Sequence, residues 1–342
     1  MAGFDLKEGE YIKCIMSDDD MWSALSCVFS AKSRNDTSYK YGFLKALLDN
    51  LYNVDENLKL TFDQVFSKFG EIYWNLILKH GLKQKASTND NRQSYLEQVL
   101  YCAANKYNIV ETIPYESLTV DMMIDISHQV KMKCKKYVVG ALFEDTKRMF
   151  YSFSKKEEYI QFNPIMYEFV CKHKVVIEKL NYYEWARFLE RVNEEKDTVR
   201  LLDKIDESAK RNNLIYYRNL LFNEFEMHNC FYCGKLLKPD KIDVDHFIPW
   251  SFIKDDMLWN LVLSCPHCNR QKNDKLPEET FLYALQERNK KIIVERQVSD
   301  LVNYKERVLT YAYKWAAVNG YNKVWNPNNG GVQYEQRKTP TT

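Results

Sequence analysis

Two pairs of cysteines have the type and spacing of metal ligands. They are Cys230-Phe-Tyr-Cys233 and Cys265-Pro-His-Cys268. Each Cys-x-x-Cys turn can aim two thiolates at one point, and two such turns form the closed tetrahedral site that structural zinc prefers. Because four thiolates leave no coordination position open, we expect this Zn²⁺ to stabilise the fold without reacting. The alternative is four unrelated core cysteines.

Three polar residues near the cysteines could hydrolyse a phosphodiester bond. Such hydrolysis needs a base to deprotonate water and a divalent ion to neutralise charge on the phosphate. His246 can be the base because histidine titrates near neutral pH, and Asp245 and Asn269 offer oxygen ligands suited to Mg²⁺. Adjacent strand residues point to opposite faces, so Asp245 and His246 can share a site only where the strand ends or turns. Pro249 favours such a turn. A surface pair without a role is the alternative.

The stretch around these residues resembles the HNH (ββα-metal) nuclease family. The resemblance lies in the block Ile242-Asp-Val-Asp-His-Phe-Ile-Pro-Trp-Ser-Phe-Ile-Lys-Asp-Asp. This block is especially similar to the HNH domain of RNA-guided CRISPR nucleases, and the spacings from His246 to Asn260 and to Asn269 agree with that domain. The sequence carries no motif of the companion RuvC-type nuclease and is too short for a CRISPR effector, so only the domain is shared.

The resemblance implies a role for each matched residue. His246 is expected to be the general base, and Asp245 and Asn269 are expected to bind a catalytic Mg²⁺ or Mn²⁺. Asn260 is the middle asparagine, which in the family fixes the loop that bears the base. The third position of the motif is Asn269 instead of histidine, a variant that the CRISPR-nuclease domain shares, so activity is expected but metal preference can differ. Zinc-bearing members of the family carry two Cys-x-x-Cys pairs at these places.

Basic residues after Asn269 could contact nucleic-acid phosphates. They are Arg270, Lys272 and Lys275, and at helical spacing some of them should face the groove. The alternative is a solvated helix end. The formal net charge of the chain is only +2, so any contact with nucleic acid must use a local patch of this kind.

The composition predicts a cytoplasmic protein without a membrane segment. Apolar residues make up 45% of the chain and charged residues 28%, which is typical of soluble globular proteins. No apolar run reaches the length of a transmembrane helix, and the N-terminus lacks the basic start and apolar run of a signal peptide. In a reducing compartment, cysteines paired at this spacing favour a metal over a disulfide.

The apolar periodicity predicts a mainly α fold with a small β-hairpin. Residues 1–195 are expected to form a mostly helical domain, 196–325 an HNH nuclease domain with flanking helices, and 326–342 a flexible tail. The polar run Glu194–Asp197 marks the boundary between the two domains. The predicted helices are Asp20–Ser30, Thr37–Leu51, Phe62–His80, Arg92–Lys106, Val120–Lys135, Pro164–Lys172, Tyr182–Val192, Val199–Asn212, Leu214–Glu226, Glu278–Lys290 and Ser299–Val318.

Two β-hairpins are expected. In the first domain, the runs 137–143 and 148–153 are rich in residues that favour strands, and they give a hairpin near 137–153. In the second domain, the resemblance implies a hairpin of roughly 235–237 with 241–245. A helix from about Cys265 to Lys272 follows it and completes the ββα arrangement.

Three functions are compatible with these patterns. The first is a metal-dependent endonuclease that hydrolyses double-stranded DNA, where a double-strand break needs a homodimer or two successive nicks. The second is a non-catalytic, zinc-stabilised module that binds nucleic acid, although the intact Asp245, His246 and Asn269 argue against it. The third is a gated antiviral defence or mobile-element effector, in which residues 1–195 bind DNA or a regulatory protein partner.

Overall fold

The computed structural model describes residues 5–30, 33, 36–85, 93–109, 113–209, 214–296, 301, 304–328 and 332–333. The chain divides into two units, Met1–Lys210 and Arg211–Thr342. This division lies farther along the chain than the predicted boundary at residue 195, because the helix after the polar run packs on the helix before it. Most of the predicted flexible tail, 329–331 and 334–342, lies outside the described residues.

The first unit consists of helices and a four-stranded antiparallel sheet. Its helices are α1 (Asp18–Phe29), α2 (Tyr39–Asp49), α3 (Phe62–Trp74), α4 (Tyr95–Lys106), α5 (Val120–Asp145), α6 (Pro164–Lys172), α7 (Lys174–Val192) and α8 (Leu201–Asp206). Its strands are β1 (Glu8–Gly9), β2 (Lys59–Thr61), β3 (Tyr151–Ser154) and β4 (Tyr159–Phe162), in the order β1-β3-β4-β2. The prediction of a mainly α fold is confirmed.

Local signals in the sequence set both ends of the α3 segment. Thr61 Oγ1 accepts a hydrogen bond from Gln64 N at 3.2 Å, and Gln64 Oε1 accepts one from Thr61 N at 2.8 Å. This reciprocal capping box satisfies amides that the first helical turn leaves unpaired. A π-helical segment, Asn75–Lys79, continues α3, and Gly81 then turns the chain with a φ of +67°. Glycine suits this position because it has no Cβ to clash in the left-handed region.

Aromatic side chains fill the core where α3 packs on α2 and α5. Phe43, Phe66 and Phe69 are fully buried. The ring centroid of Phe66 lies 5.8 Å from that of Phe43 and 5.7 Å from that of Phe69. Rings at this separation contribute packing energy beyond the area that they bury.

The predicted strand 137–143 is wrong, because these residues continue α5. Val138 and Leu142 follow Cys134 at four-residue intervals, and all three side chains are buried. Burial on one helical face overrides the β preference of the valine. The hairpin of this unit lies later in the chain and is formed by β3 and β4.

The second unit carries the predicted metal ligands. Its helices are α9 (Ile215–Asn219), α10 (Trp250–Ile253), α11 (Pro266–Lys272), α12 (Glu279–Arg296) and α13 (Glu306–Val318). Its strands are β5 (Asp243–His246), β6 (Leu261–Ser264), β7 (Leu276–Pro277), β8 (Lys323–Trp325) and β9 (Val332–Gln333). Strands β5 and β6 pair antiparallel, and β7, β8 and β9 form a separate sheet. Within the described ranges, no helix combines the length and apolar character that crossing a membrane requires.

The implied pairing of β5 with residues 235–237 is wrong. Strand β5 pairs along its whole length with β6, an apolar strand that is buried throughout. Residues 235–237 instead close the first cysteine turn, where Cys230 N donates to Lys235 O at 2.8 Å and Leu237 N donates to His228 O at 2.7 Å. The helix predicted from about Cys265 to Lys272 is confirmed as α11, which begins inside the second cysteine pair.

Candidate functional site

Four cysteine side chains converge beside α11, as predicted. The Sγ atoms of Cys230, Cys233, Cys265 and Cys268 all lie within 4.8 Å of one another. The Sγ atoms of Cys233 and Cys265 are 3.9 Å apart. Sulfurs bound to one tetrahedral zinc at about 2.3 Å would lie about 3.8 Å from each other. The cluster therefore has the donor atoms and the spacing to hold a structural metal such as zinc.

Backbone geometry shapes the two cysteine turns. Gly234 has a φ of +69° and donates its N–H to Cys230 O at 2.9 Å, which closes the first turn. In the second turn, Cys265 is the N-terminal cap of α11, and its Sγ accepts from Cys268 N at 3.5 Å. The second pair is thus fixed by the start of the helix that also carries Asn269.

Strand β5 and helix α11 bring acidic and amide side chains together. Asp243 and Asp245 share one face of the strand, because side chains alternate along it. Asn269 Nδ2 donates to Asp243 Oδ2 at 3.0 Å, and Lys272 Nζ lies 3.0 Å from Asp245 Oδ2. Asn269 and Lys272 are three residues apart and therefore lie on the same face of α11.

Two buried donors hold the carboxylate of Asp245. Tyr232 Oη donates to Asp245 Oδ2. Burial raises the pKa of Tyr232 well above its ordinary value, and the negative charge of Asp245 raises it further, so the phenol keeps its proton. Lys272 is fully buried and also donates to His246 O at 2.7 Å. An internal ammonium therefore neutralises Asp245 and ties it to the end of β5.

The three basic residues predicted to contact phosphates differ in their surroundings. Arg270 is exposed and can reach a bound polyanion. Lys275 is half-buried, and its Nζ donates to Gln271 O at 2.9 Å. The placement of Lys272 does not match the predicted phosphate contact, because its ammonium is fully buried against Asp245.

His246 is held by a carboxylate that the sequence analysis did not single out. His246 and Asp256 are 5% and 6% exposed, and His246 Nε2 lies 2.6 Å from Asp256 Oδ1. A carboxylate at this nitrogen favours the tautomer that carries its proton on Nε2 and leaves Nδ1 as the basic nitrogen. Nδ1 has no hydrogen-bond partner within the described part of the chain. This arrangement suits a group that accepts a proton from water.

Asn260 fixes the loop after His246 through its side-chain amide. Asn260 Oδ1 accepts from Ile248 N at 2.8 Å, and Asn260 Nδ2 donates to Ile248 O at 2.9 Å. Asn260 O also accepts from Phe247 N at 2.8 Å. The role that the family resemblance implies for Asn260 stays a prediction, and these contacts support it.

The oxygen atoms near α11 fit a divalent cation in chemical type. Carboxylate and amide oxygens are the ligands that Mg²⁺ prefers in proteins. Asn269 uses its amide nitrogen on Asp243, and its Oδ1 has no partner in the described ranges. Both carboxylate oxygens of Asp245 are already near Lys272, at 3.0 and 3.2 Å, so an ion at Asp245 would share or displace this ammonium.

Sequence reasoning missed the polar partners of the predicted site residues. Asp243 could have been found by strand alternation, because it lies two residues before Asp245 on β5. Asp256 lies in a separate loop, and no spacing rule connects it to His246. Tyr232 lies inside the first cysteine pair, and the Cys-x-x-Cys motif places no requirement on this position.

Comparison with known proteins connects this geometry to a family. Residues 230–278 match the model of a family described as HNH endonuclease. The matched segment spans both cysteine pairs, β5, β6 and α11, and confirms the resemblance seen in the sequence. No solved structure matches the chain. The second unit therefore contains an HNH endonuclease domain with four cysteines placed to bind a metal.

Proposed function

We propose that the protein is a metal-dependent HNH endonuclease that hydrolyses phosphodiester bonds in double-stranded DNA. The observation that carries the proposal is the environment of His246. Its Nε2 is bound by Asp256 and its Nδ1 has no partner in the described residues, as a general base requires. The match of residues 230–278 to an HNH endonuclease family supports nuclease chemistry, and the family resemblance favours DNA.

In the proposed mechanism, His246 Nδ1 takes a proton from a water molecule as the water oxygen attacks phosphorus and the bond from phosphorus to the leaving sugar oxygen breaks. The leaving oxygen takes a proton from solvent water, and the imidazolium returns its proton to solvent. Asp256 keeps the imidazole in the required tautomer and stabilises the charge that develops on it. Asn260 holds the loop that follows His246. Asp245 and Asn269 would bind a Mg²⁺ or Mn²⁺, which supplies electrostatic stabilisation of the charge on the scissile phosphate.

The four cysteines are proposed to bind zinc in a structural role. Tyr232 lies between two of them and donates to Asp245, so the cysteine turn and the proposed active site are joined by one buried hydrogen bond. Ordering the turn around a metal would fix this tyrosine. The zinc is thereby proposed to support the reaction through positioning.

The direct test is cleavage of supercoiled plasmid in the presence of Mg²⁺ or Mn²⁺, with EDTA as the negative control. Wild type is expected to produce nicked or linear plasmid, and His246→Ala is expected to lower the rate about a thousandfold, as loss of a general base does. His128→Ala is a matched control, because His128 is exposed on α5 in the other unit. Retained cutting by His246→Ala would contradict the proposal.

The buried contact between Lys272 and Asp245 favours a second candidate function. In a non-catalytic module, the Lys272 ammonium would neutralise Asp245 permanently and would take the place of a divalent metal ion. Such a protein would shift DNA in a gel but would not nick it with any divalent ion. That outcome, with normal zinc content and folding, would replace the nuclease proposal by a zinc-stabilised module that binds nucleic acid.

We further propose that the first unit regulates the nuclease, as in a gated defence or mobile-element effector. The support is its organisation as a separate unit with its own helical core. A second protein or a small molecule that raises the cutting rate well above the basal rate of the purified protein would support gating. A basal rate that no added protein or small molecule raises would contradict it.

A further inference from the structure

Helix α12 places two polar side chains against the turn that precedes the loop-fixing asparagine. Arg288 Nη2 donates to Leu258 O at 3.1 Å, and Asn289 Nδ2 donates to Trp259 O at 2.9 Å. Successive residues of one helix thus bind successive carbonyls of the short 3₁₀ turn Leu258–Asn260. This helix follows the segment matched by the HNH family model, which ends at residue 278.

The hydrogen bonds continue from this turn to the proposed base. Asn260 ends the turn, and its side chain makes the two bonds to Ile248. Its carbonyl accepts from Phe247, the residue directly after His246. A shift of the turn would therefore move the backbone that carries the imidazole. Displacement by a fraction of an ångström is sufficient to impair a positioned general base.

Helix packing alone does not explain the two polar side chains. Asn289 is fully buried, and its Oδ1 has no partner in the described part of the chain. Burial of the Arg288 guanidinium lowers its pKa to about 9, and its Nε has no partner among the same residues. Burying polar groups that are only partly paired is unfavourable. Apolar residues would pack here without this cost, but they could not bind the carbonyls.

We infer that Arg288 and Asn289 are positioning residues, which hold the His246 loop in place through the Leu258–Asn260 turn and Asn260. The inference rests on the proposed nuclease function. It assigns to α12 a part in the active site although the helix supplies no group that touches the reacting atoms.

The test compares two buried amides on the same helix. Asn289→Leu removes the bond to the turn. Gln286→Leu removes another side-chain bond of the same helix, in which the buried Gln286 donates from Nε2 to Thr310 Oγ1 of α13 at 2.7 Å. The single-turnover cleavage rate is expected to fall about tenfold for Asn289→Leu, with an unchanged KM for DNA, and to stay within about twofold of wild type for Gln286→Leu. Melting temperature and zinc content show whether both variants fold.

A mutant cycle separates positioning from general destabilisation. If Asn289 acts through Asn260, Asn260→Ala combined with Asn289→Leu should cut no more slowly than Asn260→Ala alone. Rate losses that multiply in the double variant would overturn the inference. Arg288→Lys retains one donor and should keep more of the rate than Arg288→Met, and equal losses would also count against the inference.

The wild-type protein keeps the two proposals distinguishable. A wild type that never cuts refutes the nuclease function itself. If wild type cuts DNA and Asn289→Leu cuts it at the same rate, only the positioning role is refuted.

Discussion

The cysteine cluster and the His246 site share α11, but they are completed in different ways. In the cluster, four cysteine side chains converge, and these candidate ligands are themselves the whole site. In the His246 site, the matched residues depend on partners elsewhere in the chain: Asp256 binds His246, and Lys272 with Tyr232 binds Asp245. A closed metal site is thus defined by its ligands, whereas a reactive site also needs the groups that orient and neutralise them.

Loss of the zinc proposed for the cysteine cluster is expected to have the largest effect, because it should unfold the second unit. Cys265→Ser takes one thiolate from the cluster, and a structural zinc of this kind contributes on the order of 10 kcal/mol to folding. We expect loss of bound metal by elemental analysis and unfolding of the second unit by circular dichroism. The control is Cys102→Ser, which changes an exposed cysteine of α4. A Cys265→Ser protein with the melting temperature of wild type would contradict a structural metal at the four cysteines.

Lys272→Met should give the next largest effect. It leaves the buried Asp245 carboxylate without its cation, and breaking a buried ion pair costs about 3 kcal/mol. Mg²⁺ should then raise the melting temperature more in this variant than in wild type, because an ion can replace the ammonium and stabilises the folded state that it binds. An equal Mg²⁺ response in the two proteins would contradict a cation site at Asp245.

Asp256→Asn should have a smaller effect that is confined to catalysis. The amide no longer stabilises a positive imidazole, and a loss of about 2 kcal/mol corresponds to a cleavage rate about thirtyfold lower. Single-turnover cleavage measures this rate. Asp255→Asn alters the neighbouring carboxylate, which accepts from Asp256 N, and should change the rate much less. Equal losses would indicate a general effect of loop structure instead of support for His246.

Arg270→Ala should give the smallest effect. An exposed side chain that contacts one phosphate contributes little affinity. Its removal should reduce the slope of log K for DNA binding against log salt concentration by about one. Binding titrations at several salt concentrations measure this slope. Gln271→Ala, an exposed neutral neighbour on the same helix, should leave it unchanged. An unaltered slope for Arg270→Ala would place the phosphate contacts elsewhere.

Much of the fold follows from local signals. The helix predicted from Phe62 begins there in the structure, where Thr61 and Gln64 form a capping box, and the helix Pro164–Lys172 was predicted with its observed bounds. Such signals are readable because a cap or an apolar stripe acts within a few residues. The extension of α5 through residues 137–143 could not be read in this way, because burial against α2 and α3 decides it.

The candidate site likewise has one part that the sequence predicts and one part that depends on the folded chain. The positions of the four cysteines follow from their spacing, and those of Asp245, His246, Asn260 and Asn269 follow from the family motif. The pairing of β5 with β6 and the burial of Lys272 depend on contacts between separate segments. Contacts between separate segments of this kind can be identified only in the folded structure.

A crystal structure of the His246→Ala protein with Mn²⁺ and a short DNA duplex would show whether Asp245 and Asn269 bind a divalent ion. We expect an anomalous manganese signal at about 2.2 Å from oxygens of Asp245 and Asn269, with a phosphate of the DNA as a further ligand and Lys272 Nζ moved from Asp245. Manganese bound elsewhere, with Lys272 still at Asp245 beside the DNA, would contradict the proposed metal site.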